Sequence, residues 1–176
     1  MAKYFTALFV ALASLQAASA NPLGARAEVA EVIPGDGLPS LESLGLTSAD
    51  LYAMGLPATP GDEMSVMFDA RCGPSDGAYT NVNGIIACYN YLRNLGTTNC
   101  GVKGPGAPVT EFCRSGDAHA TGQSITGNDE SSYCRDVAAG LLWVINSCTR
   151  PQQDCAGFNA ASGNGNLVVG GTNIRW

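Results

Sequence analysis

The stretch FCRSGDAHATGQSITGNDESSYCRDVAAGLLWVINSC, residues 112–148, decides the fold of this chain. Its second half predicts a helix, because apolar side chains recur there at steps of three and four and so share one face. The residues of that face are Cys134, Val137, Ala138, Leu141, Val144, Ile145 and Cys148. The two cysteines are separated by about 21 Å of helix at about 1.5 Å per residue, whereas a disulfide needs Cα atoms within about 7 Å. We therefore expect each end of the helix to be bonded to a different partner.

The residues before this helix suit a helix start. Ser131 or Ser132 is expected to cap it, and the carboxylates of Asp129 and Glu130 suit the positive end of the helix dipole.

Residues 1–20 have the pattern of a secretory signal peptide. Lys3 supplies a positive charge, an apolar run follows over residues 4–15, and Ala18-Ser19-Ala20 offers the small residues of a cleavage site. The run is too short to span a membrane, which takes about 20 apolar residues, and no later stretch approaches that length. The sequence predicts a secreted, extracellular protein without membrane insertion.

Residues 21–63 differ in composition from the rest of the chain. They contain no cysteine and one basic residue, Arg26, against seven acidic ones, and prolines and glycines interrupt them throughout. Such a segment has few apolar residues with which to form a core, so it is expected to be a flexible pro-region or linker. One or two turns of helix are expected over residues 47–54.

The charge of the chain is concentrated in that segment. The net charge is −6, but from residue 64 onward seven basic residues face eight acidic ones. The part expected to fold is therefore nearly neutral, which argues against binding of nucleic acid, since that depends on clustered cations.

The seven cysteines predict disulfides. None forms a C-x-x-C pair and His119 is the only histidine, so the sequence offers no zinc-ligand set. An odd count leaves one thiol, and Cys155 is the candidate because it lies in the polar run PQQDCAG. The cysteines expected in bridges are Cys72, Cys88, Cys100, Cys113, Cys134 and Cys148.

Residues 64–176 are expected to form one disulfide-braced domain. The pattern predicts an α+β sandwich with two antiparallel helices on one face of a mainly antiparallel sheet. The expected elements are a strand over 64–70, a helix with an apolar stripe over 82–95 that ends at Gly96, strands over 109–113 and 117–123, the second helix, a strand over 155–160, and a strand over 166–170 entered through an Asn164-Gly165 turn.

Several motifs over residues 72–173 resemble those of the killer-toxin-like family of fungal secreted proteins. That family includes a virally encoded smut toxin and, more distantly, necrosis-inducing effectors. The resemblance implies a disulfide-braced α/β-sandwich and action on a foreign cell. The similar segments, in order, are ACYNYLRNLG, FCRSGDAHATGQ, SSYCRDVAAGLLWVINSC and AGFNAASGNGNLVV.

The chain departs from that toxin in two respects. It has fewer cysteines, and Glu111 stands near Cys113 where the toxin carries the lysine associated with calcium-channel inhibition. Channel blockade by the toxin's mechanism is therefore not expected. The residues expected to contact a target lie in loops, since loops carry function on rigid scaffolds: Lys103 in the loop 101–108, and Arg114 and His119 at the two ends of a turn.

No catalytic set is predicted. His119 has Ser115 and Asp117 nearby in sequence, but neighbours on one strand do not make a triad. Asp129 and Glu130 are adjacent and cannot flank a glycosidic bond. The glycine-rich run 163–166 is followed by neither a helix nor a lysine, so it predicts a turn and not a phosphate site. We expect no enzyme, cofactor or metal.

Three functions are compatible with these observations. The first is a secreted effector or toxin, expected to be a monomer, that binds a protein or glycan on a plant or competing fungal cell. The second is a cell-wall or carbohydrate-binding structural protein of the secreting fungus, in which exposed aromatic side chains would matter: Tyr79, Tyr91 and Trp176. The third is a hydrolase, disfavoured because no catalytic set is present.

Overall fold

The computed structural model describes residues 29–57, 68–104, 106 and 108–176. The expected signal peptide and most of the expected strand over 64–70 lie outside these residues. The described residues 68–70 are not in a strand.

The main sheet has six antiparallel strands, which in spatial order are residues 32–34, 110–115, 118–124, 164–173, 157–161 and 71–72. Two short two-stranded ladders stand apart from it, residues 80–81 with 154–155 and residues 99–102 with 130–133. Two long helices pack against the main sheet, which confirms the predicted α+β class. The strands are β1 (Val32–Pro34), β2 (Arg71–Cys72), β3 (Thr80–Asn81), β4 (Asn99–Val102), β5 (Thr110–Ser115), β6 (Ala118–Ser124), β7 (Glu130–Tyr133), β8 (Asp154–Cys155), β9 (Gly157–Ala161) and β10 (Asn164–Asn173). The helices are α1 (Ser48–Ala53), α2 (Val82–Asn94) and α3 (Cys134–Cys148), with short 3₁₀ helices at Glu42–Leu44 and Asp76–Ala78.

The core lies between the main sheet and the helices α2 and α3. Both helices bury the apolar stripes that the sequence predicts, and α2 is followed by Gly96 at φ 57°, the left-handed position expected after its end. Two glycines allow the layers to come close. A Cβ on Gly84 of α2 would lie 2.7 Å from Ala118 Cβ, and one on Gly140 of α3 would lie 2.5 Å from the Ala160 carbonyl oxygen.

The start of α3 differs from the expectation. Ser131 and Ser132 lie with Glu130 in β7, which pairs with β4, so neither serine caps the helix. The N-cap position is Tyr133, whose side chain makes no capping hydrogen bond. Backbone carbonyls serve instead, because Cys134 N donates to Thr98 O at 2.9 Å and Arg135 N donates to Gly96 O at 3.0 Å.

Three disulfides each join a helix to a strand. The pairs are Cys72–Cys148, Cys88–Cys113 and Cys100–Cys134, with Cα atoms 5.0–5.6 Å apart. The two ends of α3 are therefore bonded to different partners, as its length predicts. Cys155 is the free cysteine, also as expected, but it is buried in β8 and is not in an exposed polar loop.

The last hairpin turns earlier than expected. Ser162 and Gly163 form the turn, with Gly163 at φ 73°, and Asn164 already belongs to β10. The register between β9 and β10 then shifts between Asn164 and Val168. Gly163 supplies the left-handed conformation, so the Asn164-Gly165 pair is not needed as the turn.

The N-terminal segment 29–57 is folded onto the domain, so the expectation of a flexible linker is wrong for these residues. β1 pairs with β5, and α1 packs against α2. Val32 is 2% exposed and Leu51 is fully buried, so a few well-placed apolar side chains compensate for a polar composition. The predicted helical turn is confirmed as α1, with Thr47 and Asp50 forming a capping box.

Within the described residues, none of the helices has the length and apolar character required to cross a membrane.

Candidate functional site

Two of the three residues expected to contact a target are neighbours in the main sheet. Arg114 in β5 lies directly opposite His119 in β6, and the turn between these strands is formed by Gly116 and Asp117. Lys103 follows β4 in a different ladder, where its ammonium group pairs with Asp129. The structure therefore brings Arg114 and His119 together and assigns Lys103 to a separate surface.

Arg114 and His119 lie on the face of the main sheet opposite the helices. Ala118 and Ala120 are fully buried on the helix side, and side chains alternate along a strand, so His119 points the other way. The pairing extends this row across four strands, from Ile33 in β1 through Arg114 and His119 to Thr172 in β10. We call this side the outer face, with Ile33, Glu111, Arg114, His119, Thr121, Phe158 and Thr172.

A β-bulge adds Glu111 to the outer face. In a regular strand, residues three apart point to opposite faces, so Glu111 and Arg114 would be separated. The register between β5 and β6 shifts between Glu111 and Cys113, and this shift brings both side chains to the same side. The carboxylate of Glu111 thus lies 3.3 Å from Arg114 Nε and 3.3 Å from His119 Nδ1.

His119 is held at both ring nitrogens. Nδ1 faces Glu111 Oε2 at 3.3 Å, and Nε2 lies 2.8 Å from Thr172 Oγ1. A carboxylate only accepts, so in the neutral ring Nδ1 donates to Glu111 and Nε2 accepts the Thr172 hydroxyl hydrogen. Burial lowers the pKa of His119, and the hydrogen bond to Glu111 opposes that effect. The imidazole, whose side chain is 16% exposed, is therefore held in one orientation and is neutral near pH 7.

Arg114 combines a buried stem with an accessible end. Its side chain is 40% exposed, and Nε lies within ion-pair distance of Glu111. Nε is nevertheless buried and, in the part of the chain that the structure describes, makes no hydrogen bond of acceptable geometry. A carbonyl, carboxylate or phosphate of a ligand can therefore reach the exposed part of this side chain but not its buried Nε.

The order Glu111, His119, Thr172 is that of an acid, a base and a hydroxyl, as in a nucleophilic triad. Thr172 is only 2% exposed, however, so a substrate cannot reach its oxygen. Ser115 and Asp117, which lie near His119 in the sequence, have other partners. Asp117 accepts a hydrogen bond from the Thr80 hydroxyl, and the Ser115 hydroxyl is hydrogen-bonded to that of Tyr52. The network orients the imidazole and does not present an accessible nucleophile.

An aromatic pair lies at the other end of the outer face. Phe158 of β9 covers Gly170, where an added Cβ would come within 2.9 Å of the ring. Trp176 packs against Phe158 with ring centroids 5.7 Å apart and the ring planes tilted by 54°, and it is 54% exposed. The other two aromatics expected to be exposed are not available, because Tyr91 is fully buried and Tyr79 carries the Arg150 guanidinium 3.5 Å above its ring.

Lys103 closes a loop. Its Nζ lies 2.7 Å from Asp129 Oδ2, while the backbone N–H of Gly104 donates to the other oxygen of that carboxylate at 2.9 Å. The hydrogen bond between Lys103 and Asp129 raises the pKa of the lysine and lowers that of the aspartate. Asp129 is thus a loop residue, and its expected role at the start of α3 is wrong.

Among the described residues there is no cluster of three or more histidine, cysteine, aspartate or glutamate side chains arranged to hold a metal ion.

A comparison with known protein families gives one match. The family described as Domain of unknown function (DUF8794) matches residues 68–173. The chain belongs to the DUF8794 family. No curated protein and no solved structure matches it.

The DUF8794 domain includes all three disulfides and most of the outer face. Ile33 and Trp176 lie outside the matched residues, as does the whole N-terminal segment 29–57. The core of the candidate site, formed by Glu111, Arg114, His119 and Thr172, therefore belongs to the family domain.

Proposed function

We propose that this protein is a secreted, non-catalytic toxin-like effector that binds a surface component of a foreign cell through its outer face. Export is supported by the signal-like residues 1–20 and by three disulfides, which are typical of proteins folded in oxidising compartments. Action on a foreign plant or fungal cell is supported by the resemblance of residues 72–173 to killer-toxin-like proteins.

The main support for a binding role is the row of Ile33, Arg114 and His119, which lie side by side on three neighbouring strands. Arginine is a common energetic centre of interfaces, and interface side chains bind best when their conformations are fixed beforehand. Glu111 and Thr172 fix the imidazole, and β-pairing fixes the backbone of all three strands. Ile33 is 42% exposed and offers apolar surface beside the accessible end of Arg114.

Surface binding can be tested with fluorescently labelled protein on plant and fungal cells, together with leaf-infiltration and growth-inhibition assays. Arg114→Ala is expected to weaken binding about tenfold or more, the usual effect of losing a central arginine. Arg93→Ala is the matched control, because it removes the same charge from the exposed side of α2. Equal binding by wild type and Arg114→Ala would reject the outer face as the contact surface.

A cell-wall carbohydrate-binding role is the second candidate, and the aromatic pair favours it. Exposed aromatic rings can stack on the apolar faces of sugars, and Trp176 rests on Phe158 with about half of its surface free. Pull-down on chitin and glucan distinguishes the two roles. Retention on either polymer that is lost in Trp176→Ala, with no binding to foreign cells, would favour this second function.

A further inference from the structure

The segment 29–57, which we call the N-terminal strap, is attached to the DUF8794 domain without any covalent cross-link of its own. It contains no cysteine, and every disulfide joins residues between 72 and 148. The family match begins only at residue 68. The strap therefore contacts the domain as a peptide ligand would, through hydrogen bonds and apolar contacts alone.

The strap pairs with an open strand edge of the domain. Val32, Ile33 and Pro34 pair antiparallel with Ser115, Arg114 and Cys113 of β5. Gly35 N then donates to Phe112 O at 2.8 Å. β5 is bonded to β6 on its other side, so within the domain alone it would be an edge strand. An open edge accepts an extended peptide readily.

Buried polar groups of the domain bond to the strap backbone. The Asn90 side chain, 2% exposed, donates from Nδ2 to Leu51 O at 2.9 Å and to Gly55 O at 3.0 Å. The hydroxyl of the buried Tyr91 donates to Pro39 O at 2.7 Å. These donors are buried with the strap in place, and burying them without acceptors would be costly, so a chain bound here has to supply carbonyl oxygens at these positions.

Apolar side chains of the strap complete the contact. Val32 and Leu51 are buried in the common core, and four partly buried leucines pack against it: Leu38, Leu41, Leu44 and Leu46. The backbone also comes very close at Gly35, where an added Cβ would lie 2.0 Å from the Glu111 carbonyl oxygen. The groove therefore selects a peptide by backbone pairing, by apolar side chains and by a glycine at one position.

We propose that the DUF8794 domain carries a peptide-binding groove formed by the β5 edge and α2, and that the strap is its exchangeable ligand. In the intact chain the strap occupies the groove in cis. Once the connection to residue 68 is cut, the same peptide binds in trans. This inference does not depend on the function of the outer face.

The test uses the full chain with a protease recognition sequence inserted between residues 60 and 61. The chain is folded and oxidised before it is cut, and size exclusion with mass spectrometry then shows whether the strap stays bound. An isotope-labelled synthetic peptide of residues 29–57 is added next. We expect the labelled peptide to replace the original strap while the near-ultraviolet circular dichroism and the three disulfides are unchanged.

Peptide variants test the contacts. Gly35→Ala and Leu51→Asp peptides are expected to compete at least about tenfold less well than the wild-type peptide. Glu31→Ala is the matched control, because the Glu31 side chain is exposed beside β1 and lies outside the paired residues. The proposal is overturned if the cut strap leaves and does not rebind, if it exchanges only when the domain unfolds, or if the Gly35→Ala peptide competes as well as wild type.

Discussion

At the scale of single residues, the outer face depends on one irregularity in β5. The bulge before Cys113 brings Glu111 to the side of the sheet that carries Arg114 and His119, and Thr172 reaches the same imidazole from β10. The sequence predicts His119 in a strand that pairs with its neighbour, and it identifies Arg114 as a nearby cation. It does not predict Glu111 and Thr172 as the partners of His119. Glu111 reaches the imidazole only because of a bulge, and Thr172 is 53 residues away in sequence, so both contacts depend on strand register and not on a local pattern.

His119 should make stability depend on pH. Burial lowers its pKa from the ordinary 6.5, against the opposing hydrogen bond to Glu111 and with a smaller lowering contribution from Arg114. As the pH falls below 6.5, the unfolded chain binds a proton before the folded protein does, so stability is expected to fall. Melting temperatures at pH 7.5, 6.5 and 5.5 measure this, and His119→Gln should flatten the slope. An equally steep slope in that variant would assign the effect to other groups.

Cys155 should be a protected thiol. It is fully buried, its Sγ donates to Val144 O at 3.4 Å, and burial raises the pKa of the thiol to about 11. A thiol reagent at pH 8 should therefore modify it slowly in the folded protein and rapidly in denaturant, with one thiol per chain. Rapid modification of the native protein would show that β8 opens easily. The sequence identifies Cys155 as the odd cysteine but misses its burial, because PQQDCAG has a polar composition.

At the scale of elements, α3 is both the most predictable part of the chain and the most constrained. Its apolar stripe and the separation of its cysteines predict its limits and its two different partners. Its start is not predictable, because backbone carbonyls of Gly96 and Thr98 replace the expected serine cap. Gly96 and Thr98 are more than 30 residues before the helix and come close to it only in the folded chain, so local sequence patterns do not predict these hydrogen bonds.

Gly140→Ala should destabilise the protein although alanine usually favours a helix by about 1 kcal/mol over glycine. The added Cβ would lie 2.5 Å from the Ala160 carbonyl oxygen, a backbone atom that cannot move without displacing β9. Overpacking of this kind costs about 1–3 kcal/mol. Chemical denaturation measures the difference, and Ser147→Ala on the exposed side of the same helix is the control. A more stable Gly140→Ala variant would mean that α3 and the sheet are farther apart than described.

Each of the two disulfides of α3 should increase the free energy of unfolding. Replacing Cys100 and Cys134 together by serine, or Cys72 and Cys148 together, should cost about 2–5 kcal/mol, the usual loss for a native bridge in a small secreted domain. Paired replacement avoids new free thiols. Denaturation of the two double variants measures the loss. A change below about 0.5 kcal/mol in either would show that packing alone fixes that end of the helix.

At the scale of the whole molecule, the folded part of the chain is larger than composition suggests. Composition predicts that it begins at residue 64, but the N-terminal strap, residues 29–57, is also folded. Composition reports the average of a segment, whereas a few buried residues such as Val32 and Leu51 decide whether it docks. Their places on the domain depend on a groove built from β5 and α2, elements distant in sequence. The sequence therefore predicts α1 correctly and still misses the packing of the segment that contains it.

Deletion of residues 21–57 should lower the melting temperature by about 10 °C or more. Full burial of each large aliphatic side chain contributes about 1.5–3 kcal/mol, and 1 kcal/mol corresponds to about 2–4 °C in a protein of this size. The transition should stay cooperative, because all three disulfides remain. Leu51→Ala in the full chain is a smaller change with the same expected direction. An unchanged melting temperature would instead support the expectation that residues 21–63 are a flexible linker.

Binding to foreign cells through the outer face should depend only mildly on salt. From residue 64 onward seven basic residues face eight acidic ones, so the part of the chain that carries Arg114 and His119 has little net charge, and the excess acidic charge lies in residues 21–63. Between 50 and 300 mM salt we expect less than about a threefold change in binding of the labelled protein, since screening acts mainly on unpaired surface charge. A change of tenfold or more would indicate a strongly charged target patch.

The arrangement of the disulfides also determines where the protein can work. Every bridge has one sulfur on α2 or α3 and the other outside those helices, so reduction removes every disulfide cross-link between the helical layer and the rest of the domain and leaves only the chain connections. The cytosol of a cell contains glutathione and is reducing, whereas the extracellular medium is oxidising. Activity that survives in glutathione buffer would be compatible with entry into the cytosol of a target cell. Activity that is lost there would confine the protein to the outside of that cell.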